Sequence, residues 1–288
     1  MVTLPLDTPM SNGLKSIRAI HAARREDIGD LVTYQALPVR SQAFDALEPF
    51  LFLNHHGPQI YPPGNHGLPF GPHPHRGFET VTFILEGDLV HKDTGGNESR
   101  IRAGGVQWMT AGRGLVHAEL SSDEFKRTGG PLEILQLWVN LPARLKMTEP
   151  HYVGLQKEDI ARDSEDHGRV LVDRLPEREL TDVRLFVVTM KAGGHWHRDV
   201  AASKAVFFYV VRGDVKVNGQ RTGARHLVEF AGDGTAIDVE AMADSVILFG
   251  HGTPNREPVV AHGPFVMNTQ QEIVDAVRDY QAGKFGVL

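Results

Sequence analysis

The sequence predicts an all-β protein: two β-barrels stacked face to face, followed by one C-terminal helix. Three observations predict it. Short apolar runs separated by turn residues dominate the chain. An ordered set of motifs occurs twice. One helix signature stands near the end.

The apolar runs are four to eight residues long and rich in β-branched and aromatic side chains. Thr80-Val81-Thr82-Phe83-Ile84-Leu85 precedes Gly87-Asp88, and Glu133–Val139, Arg184–Val188 and Phe207–Val211 are of the same kind. The repeat begins with His73-Pro74-His75-Arg76 and again with His195-Trp196-His197-Arg198. Each is followed by an apolar run and a Gly-Asp pair, Gly87-Asp88 and Gly213-Asp214. Ala111-Gly112-Arg113-Gly114 answers Ala231-Gly232-Asp233-Gly234, and each half then has a strand ending at a proline, Pro142 or Pro254. The spacings differ, so the architecture is duplicated without a tandem copy. The expected division gives an N-terminal metal-binding barrel over 1–145, with 1–13 as a tail, and a C-terminal barrel with the helix over 146–288. A chain of 288 residues is long enough for about two domains. In the helix, Thr269-Gln270-Gln271-Glu272 reads as a capping box, Ile273, Val277 and Tyr280 share a face, and Gly283 reads as its stop. The polar stretch Tyr152–Asp166 reads as a short helix or turn between the barrels.

Composition narrows the function. There are no cysteines, which excludes disulfides, thiolate metal sites and cysteine nucleophiles. The formal net charge is −6, so a broad nucleic-acid face is not expected. No apolar run approaches the roughly 20 residues of a spanning helix, and the N-terminal stretch has no basic, then apolar, leader pattern. The expectation is a soluble, cytoplasmic protein with no membrane and no direct nucleic-acid partner. Fifteen histidines raise the question of metal binding.

His73 and His75 are two apart, so on a strand both imidazoles face one side. His117-Ala118-Glu119 repeats that geometry with an imidazole and a carboxylate. Two such strands in one barrel make a site of three imidazoles and one carboxylate, with positions left for water, O₂ or a chelating substrate. Sulfur-free ligands suit Fe(II), Mn(II), Ni(II), Cu(II) or Zn(II). Glu79 has the parity of His73 and His75 and is a competing ligand. His195 and His197 raise the question of a second metal, with Asp238 and Glu240 one residue out of register. Arg76 reads equally as an anion contact or a salt-bridge partner. His55 and His56 are expected in a turn from Asn54 to Pro58, Trp108 and Met109 in the core, and Arg100, Arg102, Arg113, Lys126 and Arg127 on a solvated face. Neither a phosphate loop nor a Gly-x-Ser-x-Gly elbow is present.

Gly67-x5-His73-x-His75-x3-Glu79 resembles the first cupin motif, its closing glycine one residue late at Gly87. Gly114-x2-His117 resembles the core of the second, with Gly112 where that motif usually has proline. More specifically, His73-Pro74-His75-Arg76-Gly77-Phe78-Glu79-Thr80-Val81-Thr82, Gln107–Glu119 and Gly263-Pro264-Phe265-Val266-Met267-Asn268 resemble the pirin family across most of 17–288. The resemblance implies two cupin (jelly-roll) barrels and one metal, iron, in the first. Its ligands would be His73, His75, His117 and Glu119, with Glu79 off the metal. It further implies a quercetin 2,3-dioxygenase-like oxidoreductase acting on a small aromatic substrate with O₂, Glu119 being the catalytic base. The alternative it carries is an iron-dependent regulator of a protein partner, a transcription factor or metabolic enzyme.

Overall fold

In a computed structural model, residues 13–288 are described except 41 and 179. Most of the expected N-terminal tail lies outside the described residues. Gly13 is tied down, its carbonyl accepting from Thr235 N–H at 2.9 Å.

The strands of the first half are β1 (Ile17–Ala22), β2 (Arg24–Arg25), β3 (Thr33–Leu37), β4 (Phe50–Tyr61), β5 (Phe70–His75), β6 (Phe78–Glu86), β7 (Asp88–Asp93), β8 (Glu98–Arg102), β9 (Val106–Thr110), β10 (Leu115–Leu120) and β11 (Gly130–Asn140). There follow β12 (His151–Leu155), β13 (Ala161–Glu165), β14 (Val170–Arg174), β15 (Arg184–Met190), β16 (His195–Asp199), β17 (Ala205–Arg212) and β18 (Asp214–Val217). The last are β19 (Gln220–Gly223), β20 (His226–Phe230), β21 (Ala236–Ala241), β22 (Ser245–Gly252), β23 (Val260–His262) and β24 (Phe265–Met267). Helices α1 (Asp123–Thr128) and α2 (Gln270–Gln281) complete the set.

The two barrels are built alike. The first pairs a sheet β5-β10-β7-β8 with a sheet β12-β9-β6-β11-β4-β3-β2. The second pairs β16-β21-β18-β19 with β1-β20-β17-β22-β15-β14-β13. The all-β bicupin expectation and the architectural duplication therefore hold. Gly87 and Gly213 both take positive φ at the matching tight turns. Two strands sit across the 145/146 division: β1 pairs with β20, and β12 pairs with β9. Each barrel thus takes an edge strand from the other segment, a swap that the motif order does not reveal.

The two seven-stranded sheets pack face to face. Val81, Phe83, Leu135 and Leu137 of the first meet Leu185, Phe207, Tyr209 and Leu248 of the second in one core. The alternate residues of the same strands fill the barrels: Val206, Phe208 and Val210 join Phe249 and Trp196 inside the second. Burial on both faces is why β17 reads as an unbroken apolar run.

Local expectations fare variously. α2 has the Thr269–Glu272 capping box, and Ile273 is buried. Trp108 and Met109 are core. His55 and His56 are not in a turn: both are buried in β4, and Gly57-Pro58 form a bulge opposite Glu133, between the Gln59–Leu132 and His56–Ile134 pairs. The stretch 152–166 contains the end of β12, a 3₁₀ turn at Lys157–Asp159 and β13. Helix α1, capped by Ser122, carries no long periodic stripe and was not legible. No helix among the described residues is long and apolar enough to cross a membrane.

The face assignment is testable. Phe208→Ala should cost about 3–5 kcal/mol of unfolding free energy, because the ring lies inside the second barrel. His197→Ala, on the outer face, should cost less than about 1 kcal/mol. Urea unfolding measures both, and equal costs would contradict the assignment.

Candidate metal centre

β5 and β10 run antiparallel, and His117 faces His73 across the ladder. His73, His75 and His117 each bring one ring nitrogen into a group within 4.8 Å of one another. The Nε2 atoms of His73 and His117 are 2.9 Å apart. Two nitrogens bound at right angles, each about 2.1 Å from one ion, would be about 3 Å apart, so this spacing fits a shared metal.

The tautomers fit too. The Nδ1–H of His73 donates to the Gly71 carbonyl at 2.7 Å, and that of His75 to the Pro264 carbonyl at 3.3 Å. A carbonyl only accepts, so each Nδ1 carries a proton, and in the neutral ring that leaves the Nε2 lone pair for the site. Burial pushes the His75 imidazolium pKa down to about 3, and its neighbour His73 adds to the effect. Burial, then His75, His73 and His91, hold His117 well below the usual imidazole range. Neutral imidazoles are the form that ligates.

Glu119 is buried two residues beyond His117, but its carboxylate is not in the His group. Oε1 accepts from Thr82 Oγ1 at 3.1 Å and from the Gln107 amide, and Oε2 accepts from the Gln136 amide at 2.6 Å. Glu79 lies elsewhere. The chain turns at Gly77, with φ of 89°, and Glu79 then shares a face with Val81 and Phe83. Its Oε1 accepts from Thr110 Oγ1 at 2.6 Å, with Arg178 at 4.0 Å. The parity argument assumed a regular strand and fails at that turn.

Sequence reasoning missed His91 and Asp93. His91 is buried on β7 opposite Glu119, bonds Asp93 at 2.9 Å and stacks on Tyr152 at 4.0 Å. The signal was present as a further His-x-Asp pattern. The surroundings of His75 are aromatic: the Trp138 ring centroid lies 5.5 Å from that of His75, 4.4 Å from Phe78 and 4.7 Å from Phe52. Phe52, Trp138 and His73 are half-buried. Polar atoms of Thr80, His91, His117 and Trp138 are buried without a hydrogen-bond partner. Four such orphans close to one another call for a partner, and a bound polar guest would supply one, whereas Trp196 Nε1 is an orphan among the apolar side chains of the second barrel.

The second barrel carries no counterpart among the described residues. His195 and His197 point outward while Trp196 points in. His195 pairs with Glu240, and His197 with Asp238, whose carboxylate bonds it at 2.5 Å on the exposed face. Thr82 stands between Gln107 and Gln136 in the first barrel. In the second, Phe208 stands opposite Phe249, with Val228 one rung beyond the Tyr209–Leu227 pair. The Glu119–His91 pair corresponds to Val239–Val217. Among the other cations, Arg76 bonds Asp279 at 3.0 Å. Arg100, Arg113 and Lys126 are each paired with carboxylates.

Fold and site together define a bicupin with a triad able to hold a metal in its first barrel. The pirin family model matches residues 31–139 and the model of the pirin C-terminal cupin domain matches 185–286, and the chain belongs to the pirin family. Pirin-1 of Arabidopsis thaliana is 41% identical over 75% of this chain and 78% of its own. A Pseudomonas aeruginosa relative with a provisional quercetin 2,3-dioxygenase name is 36% identical over 94% of this chain and 99% of its own. The crystal structure of quercetin 2,3-dioxygenase from Acinetobacter baumannii superposes with a TM-score of 0.87 at 32% identity, covering 95% of this chain and 99% of that one.

The buried imidazoles predict acid sensitivity. His56, like His75, is held near pKa 3 by burial, with His55 adding to the effect. Unfolded histidines take a proton below about pH 6.5, whereas these do not. Stability is therefore fully present above pH 6.5 and is lost as pH falls toward 3. At pH 5 the loss is about 2 kcal/mol per such group in the metal-free protein. Urea midpoints from pH 7 to 5 measure it, and a flat profile would contradict the assignment.

Proposed function

We propose that this protein is an iron(II)-dependent oxygenase that opens a flavonol such as quercetin with O₂. The observation that carries the reading is three imidazoles converging beside half-buried aromatic rings. The similarity to a quercetin 2,3-dioxygenase supports it. In this reading His73, His75 and His117 hold the ion, with Glu119 as fourth ligand. When bound, the ion supplies a Lewis-acid template and an electron path to O₂.

The remaining work falls to the chain. Phe52 and Trp138, half-buried and backed by the buried Phe78, offer apolar contact to an aromatic ring. Glu119 takes the flavonol hydroxyl proton, and Thr82, Gln107 and Gln136 hold its carboxylate in position. The closed barrel behind the site keeps bulk water from the reacting carbon. The half-buried aromatic rings beside the triad support a small aromatic substrate over a regulatory role. The reading places the activity in the reducing cytoplasm, where iron(II) persists.

Iron-loaded protein should bleach quercetin's visible absorbance, consume O₂ and release CO. Glu119→Gln should lower turnover by about 10²–10⁴-fold and reduce bound iron, while Glu79→Gln retains iron. Unchanged absorbance and O₂ with the wild-type protein would overturn the reading for that substrate. Loss of iron in Glu79→Gln with retention in Glu119→Gln would overturn the ligand assignment.

A further inference from the structure

The chain's last segment follows the second barrel in sequence but is seated on the first. β24 runs parallel beside Arg76. Arg76 N–H donates to the Pro264 carbonyl at 3.3 Å, and Val266 N–H to the Arg76 carbonyl at 3.1 Å. The same Pro264 carbonyl accepts from Nδ1 of His75. Gly77 permits the approach: a Cβ there would stand 2.0 Å from the Val266 carbonyl oxygen. Below this contact the buried Lys146 ammonium donates to the carbonyls of Gly77 at 2.8 Å and Val266 at 3.0 Å, and to Asn140 Oδ1 at 2.7 Å.

The outer side is fastened as well. The Arg76 guanidinium donates to Asp279 of α2 at 3.0 Å and lies 4.6 Å over the Phe285 ring. Phe265, Met267, Ile273 and Phe285 pack on Val116, the residue before His117. The Thr94 hydroxyl donates to the Phe285 carbonyl at 2.7 Å. The C-terminal segment therefore touches both ligand-bearing strands, β5 and β10.

We propose that residues 260–288 form a latch whose Pro264 carbonyl fixes His75 in its Nδ1–H tautomer, with Arg76, Lys146 and Asp279 as positioning residues for the metal centre of the first barrel. The inference rests on the metal reading above. A neutral imidazole has two tautomers, and only one presents the Nε2 lone pair to His73 and His117. An acceptor held at Nδ1 selects that tautomer and the ring orientation. Partners of this kind are worth about 10–100-fold in metal affinity.

The test uses the full chain, Ni(II) as probe metal in calorimetric titration, and ¹⁵N-resolved tautomer analysis of His75 in metal-free protein. Asp279 lies at the rim of α2, so Asp279→Arg unfastens the latch without opening either core. Nickel affinity should fall about 10–100-fold, and His75 should begin to populate the Nε2–H form. Asp279→Asn should shift both readouts in the same direction by a smaller factor. If the wild type binds Ni(II) and both variants match it in affinity and tautomer, the latch is overturned. If the wild type binds no Ni(II) while Asp279→Arg still changes the tautomer, the latch stands and the metal reading falls.

Discussion

The site depends on one cross-strand contact, the approach of the His73 and His117 Nε2 atoms to 2.9 Å. Bare lone pairs repel, so two such nitrogens stay together only with a proton or a cation between them. The antiparallel ladder of β5 and β10 fixes the distance, and the carbonyls of Gly71 and Pro264 fix the ring tautomers of His73 and His75. His75 completes the group because alternate strand residues share a face.

The two barrels show how little sequence separates a site from a core. Strand order and turn positions match, yet the inward residues differ in kind. Thr82, Gln107, Gln136, His91 and Glu119 line the first barrel where Phe208, Val228, Phe249, Val217 and Val239 close the second. The apolar set fills the second barrel and supplies no imidazole or carboxylate at these positions. The polar set stabilises less by burial and holds a carboxylate ready among hydrogen-bond donors. Two copies of one architecture thus hold a polar interior in one barrel and an apolar one in the other. The shared apolar face between the large sheets, with the His55 to Tyr209 hydrogen bond of 3.0 Å inside it, joins them.

Much of this was legible in the residues. The Gly-Asp turns and the second glycines of the Ala-Gly-x-Gly turns mark true equivalents, because Gly87 and Gly213, and Gly114 and Gly234, take positive φ in both halves, whereas Gly112 does so without Gly232. The imidazole group was legible because period-two spacing survives in a short regular strand. The same reasoning failed wherever regularity failed. Parity alone kept Glu79 as a competing ligand, and the turn at Gly77 sets it on the other face. His195 and His197 looked like copies of His73 and His75, but Trp196 takes the inward position and turns them out. His55 was masked by a bulge, and the seating of the C-terminal segment on the first barrel depends on contacts far apart in sequence that no local pattern encodes.

Diffraction from crystals grown with iron or nickel, collected across the metal absorption edge, tests the central claim most directly. The account predicts one anomalous peak per chain, within bonding distance of Nε2 of His73, His75 and His117, and none beside His195 or His197. A peak elsewhere, or no peak at saturating metal with the three rings turned apart, would contradict it.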